Sequence, residues 1–309
     1  MTTLRQHAEQ YLAMRRALGF KLTTFGENLF SFVGYLEQHD VPVITTTAAV
    51  AWATGTKHST DQVYWSRRLM VVRIFARHLS VLDPATEVPP ADILPHHYRR
   101  ITPHLYTPDE LAALLAAADR LRPALRAATY RTFISLLAVT GLRTGEACHL
   151  DQADVDLVDG VLTVRDSKFG KSRQVPIHAS TVAALRDYDR RRDEWCPEPD
   201  TPAFFVSTCR TRLDERNIPR TFARLVNAAG LTVASGQRRP RLHDLRHSFA
   251  TATLLDWYRN GADVQARLPQ LSTYLGHADP KSTYWYLTGT PQLLALAAAR
   301  LERTFADRS

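Results

Sequence analysis

The sequence predicts a mainly α-helical protein with a small β-sheet or hairpin in the second of two domains, an α+β organisation. Three observations carry this. Apolar residues recur at helical spacing through most of the chain. A proline-dense strip divides it once, and one short stretch alternates in the manner of strands. The 309 residues suit about two domains, at ~100–200 residues each. Hydrophobic content of 45% is ordinary for a globular protein and allows two real cores.

The first part, 1–95, is expected to be helical. Phe25, Leu29, Phe32, Val33 and Leu36 recur at helical spacing. Thr45-Thr46-Thr47 can cap a short helix carrying Trp52, and Ser59-Thr60 can start a long one running to about Ser80. That helix holds Arg67, Arg68, Arg73 and Arg77 with no acid between Asp61 and Asp83. Without counter-charges it reads as a face for the backbone of a polyanion. Pro84, Pro89, Pro90, Pro95 and Pro103 follow, with Arg99-Arg100 among them, as in a stiff extended linker. The linker is placed at 96–106.

The second domain, 107–309, opens on Thr107-Pro108-Asp109-Glu110. Threonine caps, proline takes the first turn and Glu110 completes a capping box. Tyr130 to Thr140 is an apolar helix closed by Gly141. Val161 to Val164 and Arg173 to Ile177 are two short strands around a turn rich in lysine and glycine. Helices are predicted near 180–193, 217–229 and 243–258, the last stopped by Asn260-Gly261. Pro269 is expected to break the stretch between Asp263 and His277 into two helices. The tail from Pro291 to Phe305 is a helix rich in alanine and leucine.

The formal charge of +8 and pI of about 9.6 favour a polyanionic partner. Five of the 39 basic residues are lysine and the rest arginine, whose planar fork can hold phosphate with two bonds. Cys148, Cys196 and Cys209 show no paired or metal-type spacing and are expected to be reduced thiols. Met1 to Gln10 lacks the apolar core of a signal peptide, and no window approaches ~18 apolar residues. A cytoplasmic, nucleoid-associated protein without a membrane partner is expected.

Candidate chemistry lies in four places. Arg143 stands in Gly141-Leu142-Arg143-Thr144-Gly145-Glu146, where a turn can aim it inward and Glu146 can pair with it or cap the next helix. Lys168 lies in a turn with Lys171 as its rival. His243-Asp244-Leu245-Arg246-His247 sits at a helix start behind a basic run that includes Arg239 and Arg241. His243 and Arg246, three apart, project to one side. His243 and His247 have zinc-ligand spacing, but Asp244 stands where a zinc protease needs glutamate, so His247 is expected to pack locally. Leu275-Gly276-His277 is followed by Tyr286, with Tyr284 and Tyr274 as rivals.

Two arginines, two histidines, a lysine and a tyrosine can hold a phosphodiester and attack it. Charge spreads over the non-bridging oxygens in the transition state, so catalysis means placing cationic donors there and managing two protons. A free phenol has a pKa of about 10, so only ~0.1% is phenolate at pH 7, a deficit of roughly 4 kcal/mol that nearby cations or a base must cover.

In order and local context these residues resemble the tyrosine recombinases, the phage-integrase family of site-specific DNA recombinases. The resemblance is strong from about 107 to 290. It implies a two-domain DNA clamp, with an N-terminal helical core-binding domain of SAM-like type and a C-terminal catalytic domain. It implies that Tyr286 attacks the scissile phosphate and becomes joined to the 3′ phosphate. Arg143 and Arg246 would clamp, Lys168 would be general acid to the leaving oxygen, His243 would assist proton transfer, and His277 would buttress Tyr286. No metal or nucleotide cofactor is then needed. Arg67, Arg68, Arg73, Arg77, Arg99, Arg100, Lys171, Arg173, Arg239 and Arg241 are the expected DNA contacts. The partners implied are double-stranded DNA carrying a specific site, a homotetramer on paired sites, and sister recombinases or a directionality factor. The tail 291–305 could pass to a neighbour or dock on its own domain. A topoisomerase of type IB and a non-catalytic accessory protein are the alternatives.

Overall fold

The computed structural model describes residues 3–56, 59–94, 102–165, 172–231, 238–277, 279, 281–287, 293 and 295. Lys168, Lys171, Arg99, Arg100 and almost all of the tail lie outside them. The chain forms two compact units, 1–100 and 101–309.

The first unit holds α1 (Leu4–Ala17), α2 (Thr23–Gln38), α3 (Thr46–Thr54) and α4 (Gln62–Leu79). Side chains cap three of them: Thr3 in a capping box with Gln6, Thr45 on Ala48 and Asp61 on Val63. Each satisfies an otherwise orphaned backbone donor. The apolar stripe of α2, Leu29, Phe32, Val33 and Leu36, is fully buried against Leu12, Trp52, Leu69 and Phe75. Burial of each such side chain contributes ~1.5–3 kcal/mol.

Helix α4 does not present its four arginines as one row. Arg67 and Arg77 are exposed, but the Arg68 guanidinium stacks 3.9 Å from the Trp52 ring. Arg73 donates to the carbonyls of Pro89 and Pro90 at 2.8 and 2.6 Å. Those two arginines hold the unit together, the second by fastening the proline strip onto α4.

The second unit begins with α5 (Pro108–Asp119), entered through the capping box of Thr107 and Glu110. The apolar α6 (Ala124–Thr140) ends on Gly141 with φ +62. A Cβ there would come within 2.6 Å of the Phe249 ring, so the turn needs glycine for space as well as for backbone. A short α7 (Thr144–Cys148) follows.

A three-stranded antiparallel sheet in the order β1 (Val155–Asp156), β2 (Val161–Val164) and β3 (Arg173–Pro176) comes next. The register pairs Leu162 with Val175 and Val164 with Arg173. Leu162, Val164 and Val175 are buried, so one face lies on the core. The two-residue β1 was not foreseen.

Helices α8 (Ala179–Trp195) and α9 (Ile218–Ala228) pack on the same core, which centres on Phe133, Ile134, Tyr188, Phe205 and Phe222. Helices α10 (Asp244–Arg259), α11 (Val264–Leu275) and α12 (Lys281–Leu287) enclose a second cluster around Leu254, Leu268, Leu271 and Leu275.

Pro269 does not break α11, contrary to the sequence expectation. Its missing N–H leaves the carbonyl of Gln265 without its helical partner. Both residues are exposed, so water can take that acceptor. Val264, Leu268, Leu271 and Leu275 are buried on the opposite side and hold the helix through the proline.

Candidate active site

Two helix C-termini build the site. The end of α6 offers the carbonyl of Gly141, and the end of α11 offers those of Tyr274, Leu275 and Gly276. Three guanidinium groups converge on them. Arg246, in the first turn of α10 and 2% exposed, donates to Gly141 at 2.7 Å and Leu275 at 2.6 Å. Arg143 donates through Nη2 to Gly276 at 2.8 Å. Arg173 donates through Nε to Tyr274 at 2.8 Å. Terminal carbonyls are orphaned acceptors carrying partial negative charge, so they anchor cations without neutralising them.

Glu146 is the carboxylate of this cluster, and it both pairs and caps. Its Oε2 accepts the backbone N–H of Arg143 at 2.9 Å, closing the start of α7, and its Oε1 accepts Arg143 Nη1 at 2.6 Å. Burial alone would raise its pKa, but the bonds from Arg173 and Arg143 outweigh that and hold it down at about 2.

His277 is set by the turn that ends α11. Gly276 takes φ +68 and the His277 N–H reaches back to the Ser272 carbonyl at 3.0 Å, the pattern of a Schellman motif. The imidazole Nδ1 bonds the Thr283 hydroxyl at 2.7 Å, joining the turn to α12.

Tyr286 on α12 is 4% exposed, its ring stacked on His277 at 6.0 Å and tilted against His247 at 5.5 Å. The charges of Arg246 and Arg143 act on its hydroxyl. Burial raises the phenol above its ordinary pKa despite Arg246 and Arg143, so the hydroxyl is protonated at neutral pH in the DNA-free protein. Tyr284 turns outward and is 53% exposed, while Tyr274 directs its hydroxyl to the Pro176 carbonyl.

His243 precedes α10 with its ring 5.0 Å from that of His247. His243 is solvent-exposed as a residue, yet crowding of its inner side and the charge of Arg246 still lower its pKa. Burial, then His243 and the arginines, push His247 down to about 3. His277 falls to about 4 by burial, then by Arg246, Arg143 and Arg173.

The structure therefore gathers Arg143, His243, Arg246, His277 and Tyr286, drawn from three separate stretches of chain. Of the expected DNA contacts in this unit, Arg239 is exposed and Arg241 is half-buried against Asp244. Arg173 is a correction: its side chain is 10% exposed and turned onto Glu146. Strand parity carried the signal, because Arg173 shares a face with core-facing Val175. Also missed was Tyr106, whose N–H bonds the Ser248 hydroxyl at 2.8 Å and whose hydroxyl bonds the Arg241 carbonyl at 3.1 Å. It clips the entry of the domain onto α10.

Residues 105–292 match the model of the phage integrase family. The chain is a tyrosine recombinase of that family. It is 46% identical to y4rB of Sinorhizobium fredii, whose name assigns it provisionally to the integrases and recombinases, over all of both chains. It is 34% identical to the tyrosine recombinase XerA of Pyrococcus furiosus over 55% of this chain and 54% of that one. Among solved folds, the Tn1549 transposon integrase in complex with transposon right end DNA superposes with a TM-score of 0.67 at 18% identity, covering 98% of this chain and 99% of that one. The family's motifs thus fall on residues that the fold collects around one buried tyrosine.

Proposed function

We propose that this tyrosine recombinase is a site-specific DNA strand transferase with Tyr286 as nucleophile. The observation that carries the reading is the buried Tyr286, its ring stacked on His277 and its hydroxyl under the charges of Arg246 and Arg143. Arg143 and Arg246 hold the two non-bridging oxygens of the scissile phosphate. The phenol oxygen forms a bond to phosphorus, its proton passing toward His243 or water. The phosphorus–O5′ bond breaks, with Lys168 supplying the proton to the leaving oxygen. The 3′-phosphotyrosine keeps the bond energy, so religation to a partner strand needs neither metal nor ATP. The first unit and the exposed arginines bind double-stranded DNA, and the chain works as a tetramer on paired sites.

The test uses a duplex site recovered by selection from random DNA and resynthesised with a bridging 5′-phosphorothiolate. Wild type should form a covalent adduct in EDTA without nucleotide. Tyr286→Phe should form none, while Arg143→Ala and Arg246→Ala should keep binding and lose cleavage. An adduct that survives Tyr286→Phe but disappears in Tyr284→Phe would show the wrong nucleophile. Relaxation of any supercoiled plasmid without site preference would point to a topoisomerase instead.

A further inference from the structure

Arg173 was expected on DNA, but its surroundings give it a different part. Nη1 and Nη2 donate to the two Glu146 oxygens at 3.0 and 2.9 Å, a fork meeting a fork, while Nε holds the Tyr274 carbonyl. Bidentate arginine–carboxylate pairs fix orientation as well as charge. The same Glu146 oxygens hold the backbone and side chain of Arg143. Gly276 presses on the other side: a Cβ there would lie 2.5 Å from Arg173 Nη1 and 2.7 Å from Cζ. Arg173 is thus wedged between the carboxylate that aims Arg143 and the turn that carries His277.

We propose that Arg173 is a positioning residue that sets Arg143 through Glu146 and His277 through the α11 turn, tying strand β3 to the phosphate clamp. It does not touch DNA. The proposal rests on Arg143 being part of that clamp. It also accounts for glycine before His277, since any side chain would displace the guanidinium.

Salt dependence and pH separate this from a phosphate contact or a merely structural role. An arginine that binds phosphate lowers the slope of log K against log salt by about 1 when removed. Arg173→Ala should leave that slope and the site affinity as in wild type, and slow single-turnover cleavage on the order of 100-fold, the cost of an ångström-scale misplacement.

The pH profile should move as well. Glu146 faces Arg143 from its own helix, Arg173 from β3, Arg246 from α10 and His277 beyond α11. With Arg173 gone its carboxyl titrates at higher pH, so the acid limb of cleavage should shift upward. Arg173→Lys keeps the charge without the fork and, checked for folding by its melt, should cleave about 10-fold more slowly than wild type. It carries the test should the alanine variant not fold. A slope lowered by about 1, or wild-type rates at every pH, would overturn the proposal. Wild type run alongside keeps the two readings apart: no adduct from wild type removes the recombinase reading, whereas a wild-type adduct with an unaffected Arg173→Lys removes this one alone.

Discussion

His277 carries no charge at neutral pH in the DNA-free protein. Burial and three nearby guanidinium groups hold it at about 4. A bound phosphodiester would place a negative charge against the ring and offset the arginines, which favours the imidazolium and raises its pKa. The complex then holds more protons than the free protein at pH values above about 4. By linkage, affinity must rise as pH falls through that window. Calorimetry of site binding in two buffers of different ionisation enthalpy should show proton uptake near pH 5.5 and little at pH 7.5, with the uptake reduced in His277→Gln. Identical heats in both buffers at pH 5.5 would rule the coupling out. Tyr286 shifts the other way: burial keeps the phenol of the proposed nucleophile neutral in the DNA-free protein.

At the scale of the element, α11 shows how packing overrides local preference. Proline inside a helix costs ~3 kcal/mol relative to alanine, through a lost hydrogen bond and a ring clash. Pro269→Ala should therefore raise stability, by up to about 3 kcal/mol, read from the denaturant midpoint. A destabilised variant would mean that the proline shapes the helix to fit its neighbours. Sequence alone could not resolve this, because the outcome depends on which side of α11 faces water. Features governed by neighbours in sequence were legible: the capping box at Thr107 and Glu110, the Gly141 stop and the strands around Leu162 and Val175. The motifs that mark the family were legible too, since each is local in sequence. The partners of Arg73, Arg173 and Tyr106 were not, for they lie 16, 101 and 142 residues away and follow from the tertiary fold. Arg173 misled because exposed and inward-facing arginines look alike unless strand parity is applied.

For the whole molecule, the way arginines are anchored decides how much charge remains for a partner. Arg73, Arg143, Arg173 and Arg246 all donate to backbone carbonyls, and among these four only Arg143 and Arg173 also meet a carboxylate, sharing Glu146. A carbonyl holds a guanidinium in place yet leaves its charge uncancelled. Arg73 and Arg246 thus keep uncancelled charge in a chain whose formal net charge is +8. Each of the two units has its own buried core and needs no DNA to complete it. Binding should accordingly draw on the field of folded units more than on folding around the ligand, and electrostatics should dominate it. Fluorescence anisotropy on a labelled site duplex should show affinity falling roughly 10³–10⁵-fold between 50 and 200 mM salt, the range for six to ten neutralised phosphates. Charge-removing changes at exposed Arg67, Arg77 or Arg239, and at Arg246 on the scissile phosphate, should each flatten that line by about 1 in slope, whereas one at Arg73, which is fastened to the Pro89 and Pro90 carbonyls, should not. A response flat in salt would mean that shape and apolar contact, not the anchored cations, hold the DNA.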